Sequence, residues 1–189
     1  MTVRTMPDPM KGRLNALTLI VEQQAESLTK LQSAIKSDPT IRKLANGWWE
    51  HFDADKSQAP TYGCAAAYVS LNGIVLLSEV SGYKEAVITF VGVGVPRPDK
   101  PSKMTALVDQ NDGKPQNIKM LNYAVPNSKT FGAIALEVPT MNLLIDTMED
   151  KQSFEISVDK KSLIQVEWKA GMEARDQLRK CMRAGSAAR

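Results

Sequence analysis

Between Cys64 and Trp168 the chain is a succession of short apolar runs separated by turn residues at intervals of roughly 8–12 residues, a rhythm that suits an antiparallel sheet of many short strands. Runs 64–71 and 74–80 flank Asn72-Gly73, a two-residue hairpin signal whose positive backbone angles suit Asn and Gly. Run 86–95 is almost wholly apolar, as a central strand covered on both faces is. Runs 104–109 and 117–125 flank Gln110-Asn111-Asp112-Gly113, a second hairpin, and run 131–138 follows. Phe154, Ile156 and Val158 alternate with Ser153, Glu155, Ser157 and Asp159, while Ile164, Val166 and Trp168 alternate with Gln165 and Glu167. Each of these last two strands is therefore expected to bury one face only. That makes about eight strands.

Helical patterns interrupt and follow the strands. Pro139 opens a segment with Met141, Leu144, Ile145 and Met148 on one side. The last helix, 170–184, aligns Gly171, Ala174, Leu178 and Cys181, three of them small enough to lie close against a sheet. The expected fold is α+β: mainly an antiparallel β-sandwich of seven to nine strands with a C-terminal helix and an N-terminal helical arm. At 189 residues and 43% hydrophobic side chains the chain can bury a real core.

The arm is read from a stripe. Leu14, Leu17, Val21, Gln24, Leu28, Leu31 and Ile35 recur at steps of three and four, a period of 3.5 that marks a coiled-coil seam or a long helix lying on a partner, with packing on the chain's own domain as the alternative. Ser37-Asp38-Pro39 stops this helix and starts another, with Asp38 as N-cap and Pro39 at the first helical position. The second helix carries Ile41, Leu44, Trp48 and Phe52 on one side. The organisation expected is an arm over 1–52 (helices 10–36 and 39–52), a linker over 53–63, a sandwich with its C-terminal helix over 64–184, and a tail over 185–189. Trp48 and Trp49, about 100° apart on a helix, cannot both enter the core easily, so one is either covered by a loop or serves as a contact anchor. The partner-binding set is thus Leu14, Leu17, Val21, Leu28, Leu31, Ile35, Trp48 and Trp49, directed at another protein or a second copy.

Residues with chemistry are few. His51 is the single histidine, which rules out zinc sites needing several imidazoles, and the cysteines show no CxxC spacing. No catalytic, metal or cofactor site is expected. Asp109, Asn111, Asp112 and Gly113 miss the calcium-loop pattern, since its sixth and twelfth positions hold Lys114 and Met120. GVGVPRP lacks the third glycine of a dinucleotide loop. A Cys64–His51 thiol hydrolase is the enzymatic alternative, against which stands the apolar run around Cys64, which raises a thiol pKa. The cysteines are otherwise read as a Cys64–Cys181 disulfide, worth on the order of 4–5 kcal/mol in the chain-entropy model, or as two buried free thiols that act as small hydrophobes.

A net charge of +3 is too balanced to demand nucleic acid, and its excess comes from the basic residues beyond Ala170, where no aromatic side chain offers a stacking platform. No apolar stretch reaches the roughly 18–20 residues of a membrane span. Residues 1–13 carry charge and two prolines but no apolar leader core, so the chain is a cytoplasmic protein or a mature form whose leader was removed. A disulfide selects the second, with a periplasmic or secreted location.

From Met104 to Met182 the order is strand, turn, strand, a Phe-Gly-Ala-Ile strand, a short helix, a Phe-Glu-Ile-Ser-Val-Asp strand, an Ile-Gln-Val-Glu-Trp strand, then Gly171, Ala174, Leu178 and Cys181 as G-x-x-A-x-x-x-L-x-x-C. This layout resembles the ends of bacterial periplasmic β-sandwich modules, the invasion-associated locus B type and the VasI-type accessory proteins of type VI secretion. The resemblance covers under half of the chain. It implies a non-enzymatic exported module that binds another protein. An inhibitor or immunity protein, covering an enzyme's site with a loop such as 96–101, is a variant of the same reading.

Overall fold

A computed structural model describes residues 37–53, 63–79 and 85–186, together with Glu26, Thr29, Lys30 and Ser33. The chain divides into two compact units, Met1–Ala45 and Asn46–Arg189. Leu14, Leu17, Val21, Leu28, Leu31 and Ile35 lie outside the described residues. Helix α1, Pro39–Asn46, begins as its sequence predicts. The Asp38 carboxylate accepts from the amides of Thr40 (2.8 Å) and Ile41 (3.2 Å), which satisfies two of the amides left open at a helix start.

The same helix stops earlier than expected. Gly47 follows with φ +71, a left-handed conformation that costs glycine little and terminates a helix. Residues Trp48–Phe52 then form strand β1 instead of continuing the 39–52 helix. With β1 included, the second unit begins at Asn46, upstream of the expected 53–63 boundary.

Eight further strands follow: β2 (Ala65–Ser70), β3 (Gly73–Glu79), β4 (Ala86–Gly92), β5 (Ser102–Asp109), β6 (Gln116–Ala124), β7 (Gly132–Val138), β8 (Gln152–Val158) and β9 (Lys161–Trp168). Helix α2, Met141–Asp146, joins β7 to β8, and helix α3, Gly171–Ser186, closes the chain. The strand pairings are antiparallel, and they join the strands into one nine-stranded sheet in the order β1-β2-β3-β4-β7-β6-β5-β8-β9. The sheet is barrel-like and nearly closed, where two separate sheets of a sandwich were expected. The β2–β3 loop is also shifted by one residue: Ser70 pairs with Gly73, so Leu71 and Asn72 make the turn and Gly73 opens β3.

Alternation along the strands sends one set of side chains inward. Val75 and Leu77, Ile88 and Phe90, Ala106 and Val108, Phe154 and Ile156, and Val166 and Trp168 enter a single core. Met141, Leu144, Ile145 and Met148 of the α2 segment join it, as their spacing predicts. Where β1 and β9 face each other without a ladder, rings take over. Trp49 of β1 lies 5.3 Å from Tyr68 of β2 and 5.6 Å from Trp168 of β9. Trp168 contacts Phe154 (5.0 Å), which contacts Phe90 of β4 (5.2 Å). The Trp49 indole N–H also donates to the Lys169 carbonyl at 2.8 Å. Each such aromatic pair contributes about 0.5–1.5 kcal/mol beyond its buried area.

Candidate protein-contact surfaces

Cys64, at the start of β2, is bonded to Cys181 on α3, with 117 residues between them in sequence. Both cysteines are consumed in this bond, so Cys64 has no thiolate to offer, and the Cys64–His51 hydrolase reading is overturned. His51 is an exposed residue of β1, paired with Ala66.

The four residues of the closing motif are the docking face of α3. A Cβ on Gly171 would stand 2.2 Å from the Glu149 carbonyl oxygen and 2.8 Å from the Trp168 indole nitrogen, so only glycine admits this approach. Ala174 and Leu178 are fully buried one and two turns on, and Cys181 supplies the covalent tie. The segment after α2 holds the start of α3. The Gly171 amide donates to the Asp150 carbonyl at 2.8 Å, the Met172 amide donates to the Asp150 carboxylate at 3.3 Å, and the Trp168 indole donates to the Glu149 carbonyl at 3.0 Å. A carboxylate at a helix N-terminus is stabilising. The basic face opposite is partly neutralised: Arg179 reaches Asp146 at 2.6 Å, and Arg175 reaches Asp176 at 3.1 Å.

Because β1 is a strand, its two tryptophans point to opposite faces of the sheet and do not share a helix surface. Trp49 is partly buried and packs inward against Tyr68 and Trp168. Trp48 is half-buried on the outward face, where its indole donates to Glu50 at 2.6 Å. Burial holds the Tyr68 phenol above its usual pKa, with a further push from the negative charge of Glu167. Its hydroxyl donates to the Asn46 carbonyl at 3.2 Å.

The 96–101 loop is locked. The Arg97 guanidinium donates to the carbonyls of Lys129 (2.6 Å) and Ser128 (2.5 Å). The carboxamide of Asn122, almost wholly buried, donates to the carbonyls of Pro96 (2.8 Å) and Ala133 (3.0 Å). Next to this braced backbone stand Val93, 69% exposed, and Phe131, 40% exposed. Exposed apolar side chains on a pinned backbone bind with little ordering cost. Sequence reasoning named the loop but not Arg97 or Asn122, whose roles depend on carbonyls 31 and 26 residues away.

The outward face of the sheet is divided. Over β5, β8 and β9 it is polar: Asp109, Glu155, Gln165 and Glu167 edge an open cleft of about 430 Å³. Over β1, β2, β3, β4, β7 and β6 it is largely apolar. One cross-strand row there runs Trp48, Val69, Ile74, Val91, Ala133, Tyr123. Among the described residues, no group of acids, histidines or cysteines could hold a metal ion, and the Asp109–Gly113 segment is a hairpin connection. No described helix is long and apolar enough to cross a membrane. No known protein family, curated protein or solved structure matches this chain.

Proposed function

We propose that this protein is an exported, non-enzymatic accessory module that acts by binding another protein. The pinned end of the sheet carries the reading: Val93 and Phe131 project beside a loop held at four carbonyls by Arg97 and Asn122. Such a surface has the preorganisation that a protein contact rewards and no group suited to bond-making chemistry. The Cys64–Cys181 bond supports an oxidising location, periplasmic or secreted. The Leu14–Ile35 stripe of the arm is a second candidate contact, and the resemblance of the 104–182 layout to invasion-associated locus B and VasI-type modules, which lack such a helix, speaks only for an exported protein-binding role.

Quantitative cross-linking in the native compartment tests this. A Val93→Asp/Phe131→Asp variant should lose a discrete cross-linked partner by more than about 10-fold, a loss of 1.4 kcal/mol or more, with an unchanged melting temperature. A partner retained at wild-type level would overturn the loop-end reading. In the same cells, alkylation before reduction should leave Cys64 and Cys181 unmodified. Rapid labelling of both would place the protein in a reducing compartment.

A further inference from the structure

Nine strands joined by antiparallel pairings leave β1 and β9 running the same way, so the two ends of the sheet cannot close on each other with an antiparallel ladder. The outer edge of β9 faces that opening. The Leu163 carbonyl oxygen turns away from β8, 2.5 Å from where a Cβ on Gly94 would stand, and the Lys169 carbonyl accepts from the Trp49 indole at 2.8 Å. Backbone groups alternate sides along a strand, so the amides and carbonyls of Gln165 and Glu167 point the same way. Among the described residues, no hydrogen bond reaches them from outside the β8–β9 pair. Beside them lies the open cleft of about 430 Å³, lined by Gln165 and Glu167 of β9, Glu155 of β8, Asp109 of β5 and, from the other end of the sheet, Asn72 of the β2–β3 turn. Asp109, Glu155 and Gln165 are register partners in one row. Lys151 reaches Glu167 at 3.2 Å, but among the described residues no cation reaches Asp109 or Glu155.

We infer that this cleft takes an extended segment of a partner protein, bearing lysine or arginine at alternate positions, which adds to the outer edge of β9 as an antiparallel strand. A strand of that direction is antiparallel to β1 as well, so it continues the alternation of the sheet across its opening. Unpaired edge groups are a template for such addition, and main-chain hydrogen bonds at Gln165 and Glu167 supply its affinity. Opposed residues of a ladder point to the same face. A partner residue opposite Glu167 therefore lies beside that carboxylate, and one opposite Gln165 reaches across it toward Glu155 and Asp109. Charge complementarity selects basic side chains at both places. It also selects against a second copy in the slot, because β9 on β9 would set these carboxylates against their own kind. The Trp49–Lys169 contact pins one end of the opening, which confines the added strand to the stretch before it. The inference rests on the protein-binding reading for its class of ligand, and it uses neither Val93 nor Phe131.

The probe is a capped peptide of alternating threonine and lysine, titrated into the full chain and followed by calorimetry and amide hydrogen exchange. It should bind with a Kd of about 1 mM or tighter and slow the exchange of the Gln165 and Glu167 amides. The same peptide with glutamate in place of lysine should bind at least about 10-fold more weakly, and so should one N-methylated at its lysine amides, which face β9 in the ladder. Glu155→Lys with Glu167→Lys should weaken the lysine peptide at least about 10-fold with an unchanged circular dichroism spectrum. Gln165→Pro should fold, because an edge amide that faces away from the ladder is dispensable, and should lose the peptide. A lysine peptide that does not bind, or binds no better than its glutamate counterpart, would overturn the proposal. Equal binding of the N-methylated peptide would reduce the effect to charge attraction and overturn strand addition. A Gln165→Pro chain that cannot fold would put that amide inside the β8 ladder, against the edge geometry. The loop-end reading is tested on other residues by partner cross-linking, so either can fail while the other stands.

Discussion

Gly171 is the residue at which the least chemistry decides the most. Gly171→Ala drives a methyl group into the Glu149 carbonyl and the Trp168 indole, and overpacking of this kind costs about 1–3 kcal/mol. The expected loss of melting temperature is about 2–10 °C; an unchanged transition would mean that α3 does not dock as closely as described. Tyr68 gives a prediction in pH. Its phenol is held above the ordinary value near 10 in the folded protein, so the unfolded chain ionises first as pH rises. The stability it contributes is complete below about pH 10 and lost as pH climbs through the raised folded value. Tyr68→Phe removes both the titration and the bond to Asn46, about 1 kcal/mol at pH 8. The stability gap between wild type and variant should narrow from pH 8 to pH 10.5 in urea unfolding. A constant gap would remove the desolvated phenol from the account.

At the scale of elements, β1 shows where sequence and fold part. Ile41, Leu44, Trp48 and Phe52 repeat at helical spacing, and that pattern hides the Gly47 break. What makes Trp48–Phe52 a strand is its pairing with β2, a tertiary preference that no local periodicity records. The later strands were legible because period-two alternation survives wherever one face is wet, as in β8 and β9. Whether the strands form one sheet or two was not, since a hydropathy pattern carries no register. The outward apolar half did leave a trace. AAAYVS, GIVLLSE and AVITFVG are apolar at both parities, whereas Phe154–Val158 alternates. The two faces of β1 make a paired prediction. Trp49→Ala opens the ring contacts between the sheet's edges and should cost about 3 kcal/mol or more, whereas Trp48→Ala should cost under about 1 kcal/mol. Equal costs in denaturant unfolding would contradict the placement of the two rings.

For the whole molecule, the disulfide and the proposed Leu14–Ile35 stripe make separate predictions, one for stability and one for association. Replacing both Cys64 and Cys181 with Ser should lower stability by roughly 2–5 kcal/mol. Dithiothreitol should then shift the wild-type transition and leave the double variant where it is; a wild-type transition that ignores the reductant would argue against the bond. Leu17→Asp with Leu28→Asp, in the arm, should abolish partner capture with no change in the melting of the sheet. Capture that persists would reduce the stripe to intramolecular packing. The cysteine pairing was legible as one of two readings, since the sequence holds two cysteines, one just before an apolar strand and the other on the small-residue stripe of the final helix.

The same bond imposes an order on biogenesis. Its two sulfurs are made 117 residues apart, which at about 5–20 residues per second is on the order of ten seconds of synthesis. Throughout that interval the nascent sheet has one thiol and no intramolecular mate for it, and the chain holds no third cysteine with which to mispair. Within these 189 residues no alternative intramolecular pairing exists. One pair of sulfurs has one way to close, and closure waits for the final helix.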